Sequence, residues 1–456
     1  MSSEITIRSI PSEVLCDIFH LLCDGPIALY DLRNELHFHE FPWAVGQVCR
    51  HWRGEFLSYT PLWTSFSLWP APSSSTSGPY FVEMRRRAII YLKRSGQQPL
   101  TVVVSTYCLS TDRFSTPVWE LLLSCLKRWK KANLELVHGA LGKLLRCTEH
   151  MSNLESLKIH MPDYMSALED FSAFGVAPCL TELNLTIHKY RPTWQFPWAQ
   201  LTKLTIDTSS HNSDDYRDSD DLWGLLSQLK NIEKLHIMTP FYFPKPPPGI
   251  ICLPVLRLLE IPLAHAILFS RFTVPLLEHL HIYGHMVSVL NNDIYDGQRE
   301  IASFIQRSFY HIRRLTFDGW TRREMCIIMK ALDGVEELSI IDPDSHAVIQ
   351  DITGLNGSTY LPKLRVLQVE CDPCRNHMPL DRAVRAFSRL LEARGKGSSL
   401  ASNNVVPLEK FVLRLTMYGT QNDEVLEEMH GWPAFAQVYI DGTPSLHYIP
   451  KYYCNF

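Results

Sequence analysis

The chain has no apolar run long enough to cross a bilayer, which takes about 20 consecutive residues as a helix. It has no excess of charge of one sign: 44 Lys and Arg stand against 48 Asp and Glu, for a net charge of −4. A membrane-surface or nucleic-acid partner, which would call for a basic face, is therefore not expected. Residues Met1 to Arg8 hold no basic stretch followed by an apolar one, so no secretory signal is expected. Also missing are a phosphate-binding Walker loop, a paired-glycine dinucleotide fingerprint, a His-Glu-x-x-His zinc helix and a Gly-x-Ser-x-Gly elbow. Charged residues, at 20%, are few for a globular chain. What is present in quantity is apolar: 46% of residues, with 11 tryptophans.

The cysteines, 12 in all, sit mostly within apolar stretches, as at Cys16, Cys49, Cys125, Cys179, Cys252 and Cys326. That placement predicts free, buried thiols in a reducing compartment, the cytoplasm or nucleus. Cys371 and Cys374 have the spacing of a zinc or redox pair but no second such pair. His37 and His39, and His279, His281 and His285, are close in sequence. With 19 histidines in the chain such neighbours arise by chance, and no metal and no cofactor is expected.

At 456 residues the chain exceeds one ordinary hydrophobic core, so several domains or a repeat array is expected. From Leu100 onward a short pattern recurs, an aliphatic residue, two variable ones, then two aliphatics separated by one residue. It runs through Leu154–Leu157–Ile159, Leu180–Leu183–Leu185, Leu201–Leu204–Ile206 and Ile232–Leu235–Ile237. It goes on through Leu256–Leu259–Ile261, Leu277–Leu280–Ile282, Ile312–Leu315–Phe317, Val335–Leu338–Ile340, Leu364–Leu367–Val369 and Leu408–Phe411–Leu413. Period two at the end of each unit predicts a short strand with alternate residues buried. Helical patterns lie between some of them: Leu121, Leu122, Cys125 and Trp129 after Pro117; Ile301, Phe304 and Ile305; Met325, Ile328, Met329 and Leu332; Val384, Phe387, Leu390 and Leu391. Strand and helix alternating at roughly 21 to 44 residues is the signature of leucine-rich repeats, which share one core across a parallel sheet. The Asn or Cys that ordinarily follows the strand is replaced by His160, Thr186, Asp207, Met238, Pro262 and Tyr283, so an irregular solenoid is predicted.

The N-terminal residues follow a different pattern. Pro11, Ser12 and Glu13 suit a helix start, and Val14, Leu15, Ile18, Phe19 and Leu22 recur at helical spacing. Val45, Val48, Cys49 and Trp52 repeat that spacing, and Thr60, Pro61, Leu62 and Trp63 follow. Two short helices with apolar stripes leave surface to bury elsewhere. This ordered set, Ile10-Pro11-Ser12-Glu13-Val14-Leu15 with Ile18-Phe19, then Val48-Cys49-Arg50-His51-Trp52, then Pro61-Leu62-Trp63, resembles the fungal F-box-like motif. A long insert, about residues 20 to 42, separates its helices.

The resemblance implies a module that docks on a Skp-type adaptor, and through it on a cullin complex. Ile10, Pro11, Val14, Leu15, Ile18, Phe19, Val48, Trp52 and Leu62 would make that contact. The expected architecture is α/β: an F-box-like helical module over 1–69, a linker over 70–79, and a leucine-rich-repeat solenoid over 80–456 with parallel strands on the concave face and helices outside. The implied role is the non-catalytic substrate receptor of an SCF-type ubiquitin ligase. An unknown target protein would be held on the open strand face, where Lys158, Asn184, His279, His281, Tyr283, Arg314, Thr316 and Gln368 project. Two alternatives stay open: a repeat scaffold unconnected with ubiquitin, its helices a cap, and an enzyme built on the cysteine pair.

Overall fold

A computed structural model describes residues 10–22, 27–28, 44–68, 78–105, 116–136, 138–147, 150–160, 174–187, 194–208, 219–238, 249–262, 266–283, 300–301, 303–305, 307, 312–318, 334–341, 361–371, 380–394, 406–416, 429, 432–434 and 436–441. The chain divides into two compact units, Met1–Leu229 and Lys230–Phe456. Both are α/β, with parallel strands in sequence order and few helices among the described residues.

The first unit opens with α1 (Ser12–Leu22), and the two-residue strand β1 (Ile27–Ala28) follows. Next come α2 (Val45–Val48), α3 (Arg50–Ser58) and a 3-10 turn at Thr60–Trp63. The Cys49 sulfur caps α3 by accepting the Trp52 backbone N–H at 3.4 Å, and Arg53 Nε donates to the Gly46 carbonyl at 2.6 Å, fastening α3 to α2. Pro61 fits the first turn of the 3-10 segment, where its missing N–H has no partner to lose. An aromatic chain knits these elements together. Phe19 meets Trp52 and Phe56 edge-on, with centroids 5.8 and 6.1 Å apart; Phe56 meets Trp63 at 5.1 Å, and Trp63 meets Tyr91 at 4.9 Å.

That chain leads into a sheet that starts early. β2 (Ser65–Leu68) pairs in parallel with β1 on one side and with β3 (Leu100–Ser105) on the other. Residues 20–22 of the sequence insert thus close α1 and Ile27 and Ala28 lie in the sheet, while residues 23–26 and 29–42 fall outside the described residues. α4 (Gly78–Arg94) crosses from β2 to β3, with Arg85 and Arg86 exposed. β4 (Trp129–Glu135), β5 (Ser156–His160), β6 (Glu182–Ile187) and β7 (Lys203–Thr208) continue in parallel register, with α5 (Thr116–Leu123), α6 (His138–Leu145) and α7 (Ser219–Leu226) among the connections. Trp129, read from sequence as part of a helix face, instead begins β4. The buried residues of α5 are Val118, Trp119, Leu122 and Leu123, with the Trp119 indole donating to the Ala140 carbonyl at 2.9 Å.

The second unit has β8 (Lys234–Ile237), the short pair β9 (Ile251–Cys252) and β11 (Phe272–Thr273), then β10 (Leu258–Pro262), β12 (His279–Tyr283), β13 (Arg314–Asp318), β14 (Glu337–Ile341), β15 (Val366–Cys371), β16 (Lys410–Thr416) and β17 (Ala436–Asp441). α8 (Ala266–Phe269) and α9 (Leu380–Arg394) are its helices with described bounds. α9 buries Val384, Phe387, Leu390 and Leu391 as its periodicity predicts, and Phe387 packs 5.2 Å from Phe411 of β16.

Every aliphatic or aromatic member of the ten full repeats is buried. They stack in register: Leu235, Leu259, Leu280, Leu315, Leu338, Leu367 and Phe411 form one column, and Ile261, Ile282, Phe317, Ile340, Val369 and Leu413 another. Each buried aliphatic contributes about 1.5–3 kcal/mol. One residue ahead of each strand, a backbone N–H reaches the carbonyl of the equivalent residue one repeat earlier, as from Arg257 to Glu233, Glu278 to Arg257 and Arg313 to Glu278, each 2.9 Å. Side-chain amides bind turns of neighbouring repeats as well. Gln200 donates to the Ala177 and Leu180 carbonyls at 2.7 and 2.9 Å, and Asn153 to that of Lys127 at 2.6 Å.

The thiol expectation needs correction in part. The described free cysteines are not in the core: Cys16, Cys49, Cys125 and Cys147 are half-buried, and Cys179 and Cys252 exposed. Cys49 shows one reason, since a sulfur that caps a helix must sit at its end. Among the described residues no helix is long and apolar enough to cross a membrane.

Candidate functional site

Two surfaces stand apart chemically, one in each unit. The first lies on the N-terminal helices. On α1, Leu15 and Phe19 are one helical turn apart and fully buried. Val14, Ile18 and Leu21 make a second stripe, displaced by about one residue around the helix. Val14 is 46% exposed and Leu21 76%, with Ile18 half-buried. Leu22 is 52% and Val48 47% exposed. The nine residues expected to face an adaptor therefore divide. Leu15, Phe19 and Leu62 are buried in the chain's own core; Ile10, Ile18 and Trp52 are half-buried; Pro11, Val14 and Val48 are exposed. The buried three are inside because the 3-10 turn and α3 close against α1. Leu21 escaped the sequence reading, although it lies seven residues from Val14, on the same stripe.

The second surface lies on the open face of the second unit. The residues between each buried pair project there, and the strand register sets His236, Glu260, His281 and Thr316 in one row across β8, β10, β12 and β13. Glu260 lies between two imidazoles. His236 Nδ1 donates to Glu260 Oε2 at 2.5 Å, and His281 Nδ1 stands 3.7 Å from Oε1. The Tyr283 hydroxyl donates to Oε2 at 2.9 Å, and its ring lies 4.1 Å from that of His281. His279 Nε2 stands 3.4 Å from the Thr316 hydroxyl.

Burial opposes ionisation of Glu260, but the hydrogen bond from His236 and the closeness of His281 outweigh it, holding the carboxyl far below the usual carboxylate range. Burial lowers the His279 pKa, with His281 next to it adding in the same direction. His236 Nε2 and His281 Nε2 are buried and have no hydrogen-bond partner. Both imidazoles aim Nδ1 at the same carboxylate from opposite sides, so their second nitrogens do not converge. Accordingly, among the described residues no group of three His, Cys, Asp or Glu is placed to hold a metal ion.

Of the residues expected to contact a target, His279, His281, Tyr283 and Thr316 come together here. Arg314 stands beside His279 and pairs with Glu337 at 2.9 Å. Gln368 is exposed two strands beyond Thr316, in the same row. Lys158 and Asn184 are in register with each other in the first unit. Glu260 was missed, although aligning Leu235-His236-Ile237, Leu259-Glu260-Ile261 and Leu280-His281-Ile282 places it between the two histidines. His285, His37, His39 and Cys374 lie outside the described residues. Comparison with protein-family models gives no match, and comparison with curated proteins gives none.

Proposed function

We propose that the chain is a substrate receptor of an SCF-type ubiquitin ligase, docking on a Skp-type adaptor with its N-terminal helices and holding a target protein on the open faces of its sheets. In this reading it has no catalytic group of its own. Its contribution to rate is proximity, since it brings the target beside the ubiquitin-conjugating subunit. The observation that carries the reading is the second apolar stripe of α1. Val14 and Leu21 stay in water while Leu15 and Phe19, on the neighbouring stripe, complete the local core. Exposed apolar groups clustered on one element mark a protein-interaction surface.

The test is co-purification of a Skp-type adaptor with the double variant Val14→Asp, Leu21→Asp. Both side chains are exposed, so the variant should unfold at the same temperature as the parent while adaptor capture falls at least tenfold. Undiminished capture by the folded variant sinks the proposal. Substituting Leu15 would answer nothing, since loss of capture would follow from loss of the fold.

A second reading, a repeat scaffold whose helices serve as a cap, is favoured by the pairing of β2 with β3 and the contact of Trp63 with Tyr91. These interactions make the helices part of the first unit's packing. Deleting residues 1–69 would then destabilise the protein under both readings, so the surface substitutions are the discriminating experiment.

A further inference from the structure

The open face of the first unit is furnished differently from that of the second. The parallel register sets its outward residues in rows across β4, β5, β6 and β7. One row holds Lys131, Ser156, Glu182 and Lys203, the next Asn133, Lys158, Asn184 and Thr205, and the last Glu135, His160, Thr186 and Asp207. Burial alternates along each strand, so these side chains face away from the buried columns.

Charge is sorted between the rows. The first two carry Lys131, Lys158 and Lys203 against one carboxylate, Glu182; the last carries Glu135 and Asp207 and no lysine. Opposite charges set directly across adjacent strands stabilise a sheet. Yet none of these three lysines makes an ion pair or a hydrogen bond among the described residues. Lysines off this face do: Lys130 meets Glu155 and Lys143 meets Glu120, each at 3.5 Å. The carboxylates of the last row are engaged elsewhere. Ser105 donates its hydroxyl to Glu135 at 2.6 Å, and Asp207 has an interaction of its own. Asn133 and Asn184 flank Lys158 from the two adjoining strands, and their amides have no hydrogen-bond partner either. Lys131 and Lys158 are exposed, and Asn133, Asn184 and Lys203 half-buried, so all five are open to an incoming group.

The chemistry of these groups selects the occupant. Three ammonium groups against one carboxylate leave two positive charges unbalanced, which calls for anions. Arginine is the side chain fitted to grip a phosphate with two hydrogen bonds, and no arginine lies in these rows. The net charge of −4 supplies no broad field for a nucleic-acid backbone. An asparagine amide both donates and accepts, which suits the N–H and C=O groups of an extended peptide. Lys131 and Lys203 are three strand spacings apart, about 14 Å, the length of roughly four extended residues.

We infer that the face lined by Lys131, Asn133, Lys158, Asn184 and Lys203 is a docking site for an extended segment of a target protein rich in aspartate or glutamate. The segment crosses the strands, its backbone held by Asn133 and Asn184 and its carboxylates by the three lysines. The inference rests on reading the open face as the target-binding surface, and is independent of the adaptor stripe.

The test uses the full chain and a fluorescein-labelled hexa-aspartate peptide, with hexaglutamine and a twelve-residue oligothymidylate as controls. Anisotropy titrations at low salt should show binding of hexa-aspartate that weakens as sodium chloride is added. Lys131→Gln with Lys158→Gln should weaken it about tenfold, two exposed charge pairs being lost. Lys130→Gln with Lys143→Gln removes the same charge away from the face and should change affinity less than about twofold. All four side chains lie at the surface, so both double variants should unfold at the parent's temperature. Asn133→Ala with Asn184→Ala should weaken binding with no change in its salt dependence, since no charge is removed. Failure of hexa-aspartate to bind, full affinity in the folded Lys131 and Lys158 double variant, an equal loss in the Lys130 and Lys143 variant, or equal binding of the oligothymidylate or of hexaglutamine would each overturn the inference. Adaptor co-purification from the same preparations keeps this outcome separate from the fate of the receptor reading.

Discussion

The N-terminal helices and the repeat strands are built from the same apolar residue types but sort them differently. In β10, β12 and β14 burial alternates residue by residue, so Leu259 and Ile261, Leu280 and Ile282, Leu338 and Ile340 all go inside. A strand offers two opposite faces, and polar residues at most of the outward positions leave few apolar side chains there, such as the half-buried Leu258 and Ile341. α1 offers a continuous circumference. Its apolar residues cover more of that circumference than one contact can bury, and the excess appears at Val14, Leu21 and Leu22. In a strand, then, the pattern fixes which residues are hidden; in a short helix, the neighbours decide.

The strongest way to break this comparison is at its joint. Trp63 is fully buried, edge-on to Phe56 and Tyr91, with the Arg94 guanidinium 4.4 Å from its ring centroid. Trp63→Ala should cost about 3–5 kcal/mol in urea unfolding monitored by circular dichroism. Leu21→Ala, a change of similar type at a site 76% exposed, should fall within about 0.5 kcal/mol of the parent. Equal losses would mean that the exposed stripe is not exposed in solution.

A smaller effect probes the polar row. Glu260→Gln removes the charge that both imidazoles face, and should cost about 1–3 kcal/mol near neutral pH. The pH dependence has a definite sign. The folded His279 resists protonation that the unfolded chain accepts near 6.5, so stability falls as pH drops below that value. Glu260 is depressed in the folded state, so its contribution is full above the ordinary value of 4.5 and is lost as pH falls below it. Unfolding midpoints measured between about pH 7.5 and 3.5 should show both losses, the first removed by His279→Gln and the second by Glu260→Gln.

The smallest effect concerns the edge of the second unit. The residue just ahead of each strand alternates in sign through Glu233, Arg257, Glu278, Arg313, Glu336, Arg365 and Glu409. Arg257–Glu278 and Arg365–Glu409 make contacts of 2.5 Å. These side chains are about half exposed, so each pair is worth no more than about 1 kcal/mol. Arg365→Glu sets like charges on three adjacent repeats and should cost about 0.5–1.5 kcal/mol at low salt, shrinking on addition of sodium chloride as screening sets in. A cost unchanged by salt would assign the loss to packing.

Much of the strand architecture was legible because the repeat pattern states it directly. Leu157, Leu183 and Leu204 occupy equivalent positions in the sequence and pair as neighbours in the sheet. The start of the sheet was not legible. Ile27, Ala28 and Ser65–Leu68 carry no repeat motif; Ser65–Leu68 join the sheet because β3 offers a partner edge, and Ile27 and Ala28 pair with Ser65–Leu68 in turn. At the candidate sites, the sequence singled out His279, His281, Tyr283 and Thr316 by strand alternation. Glu260 emerged only when the register placed it between His236 and His281.

By itself, then, the sequence determined the parallel repeat, its buried columns and the helical character of the N-terminal residues, because periodicity depends on backbone geometry alone. The tertiary structure decided which stripe of α1 is hidden, where the sheet begins, and that two histidines share one carboxylate. Those outcomes depend on what lies opposite a side chain, and residues distant in sequence supply that only after the strands have paired.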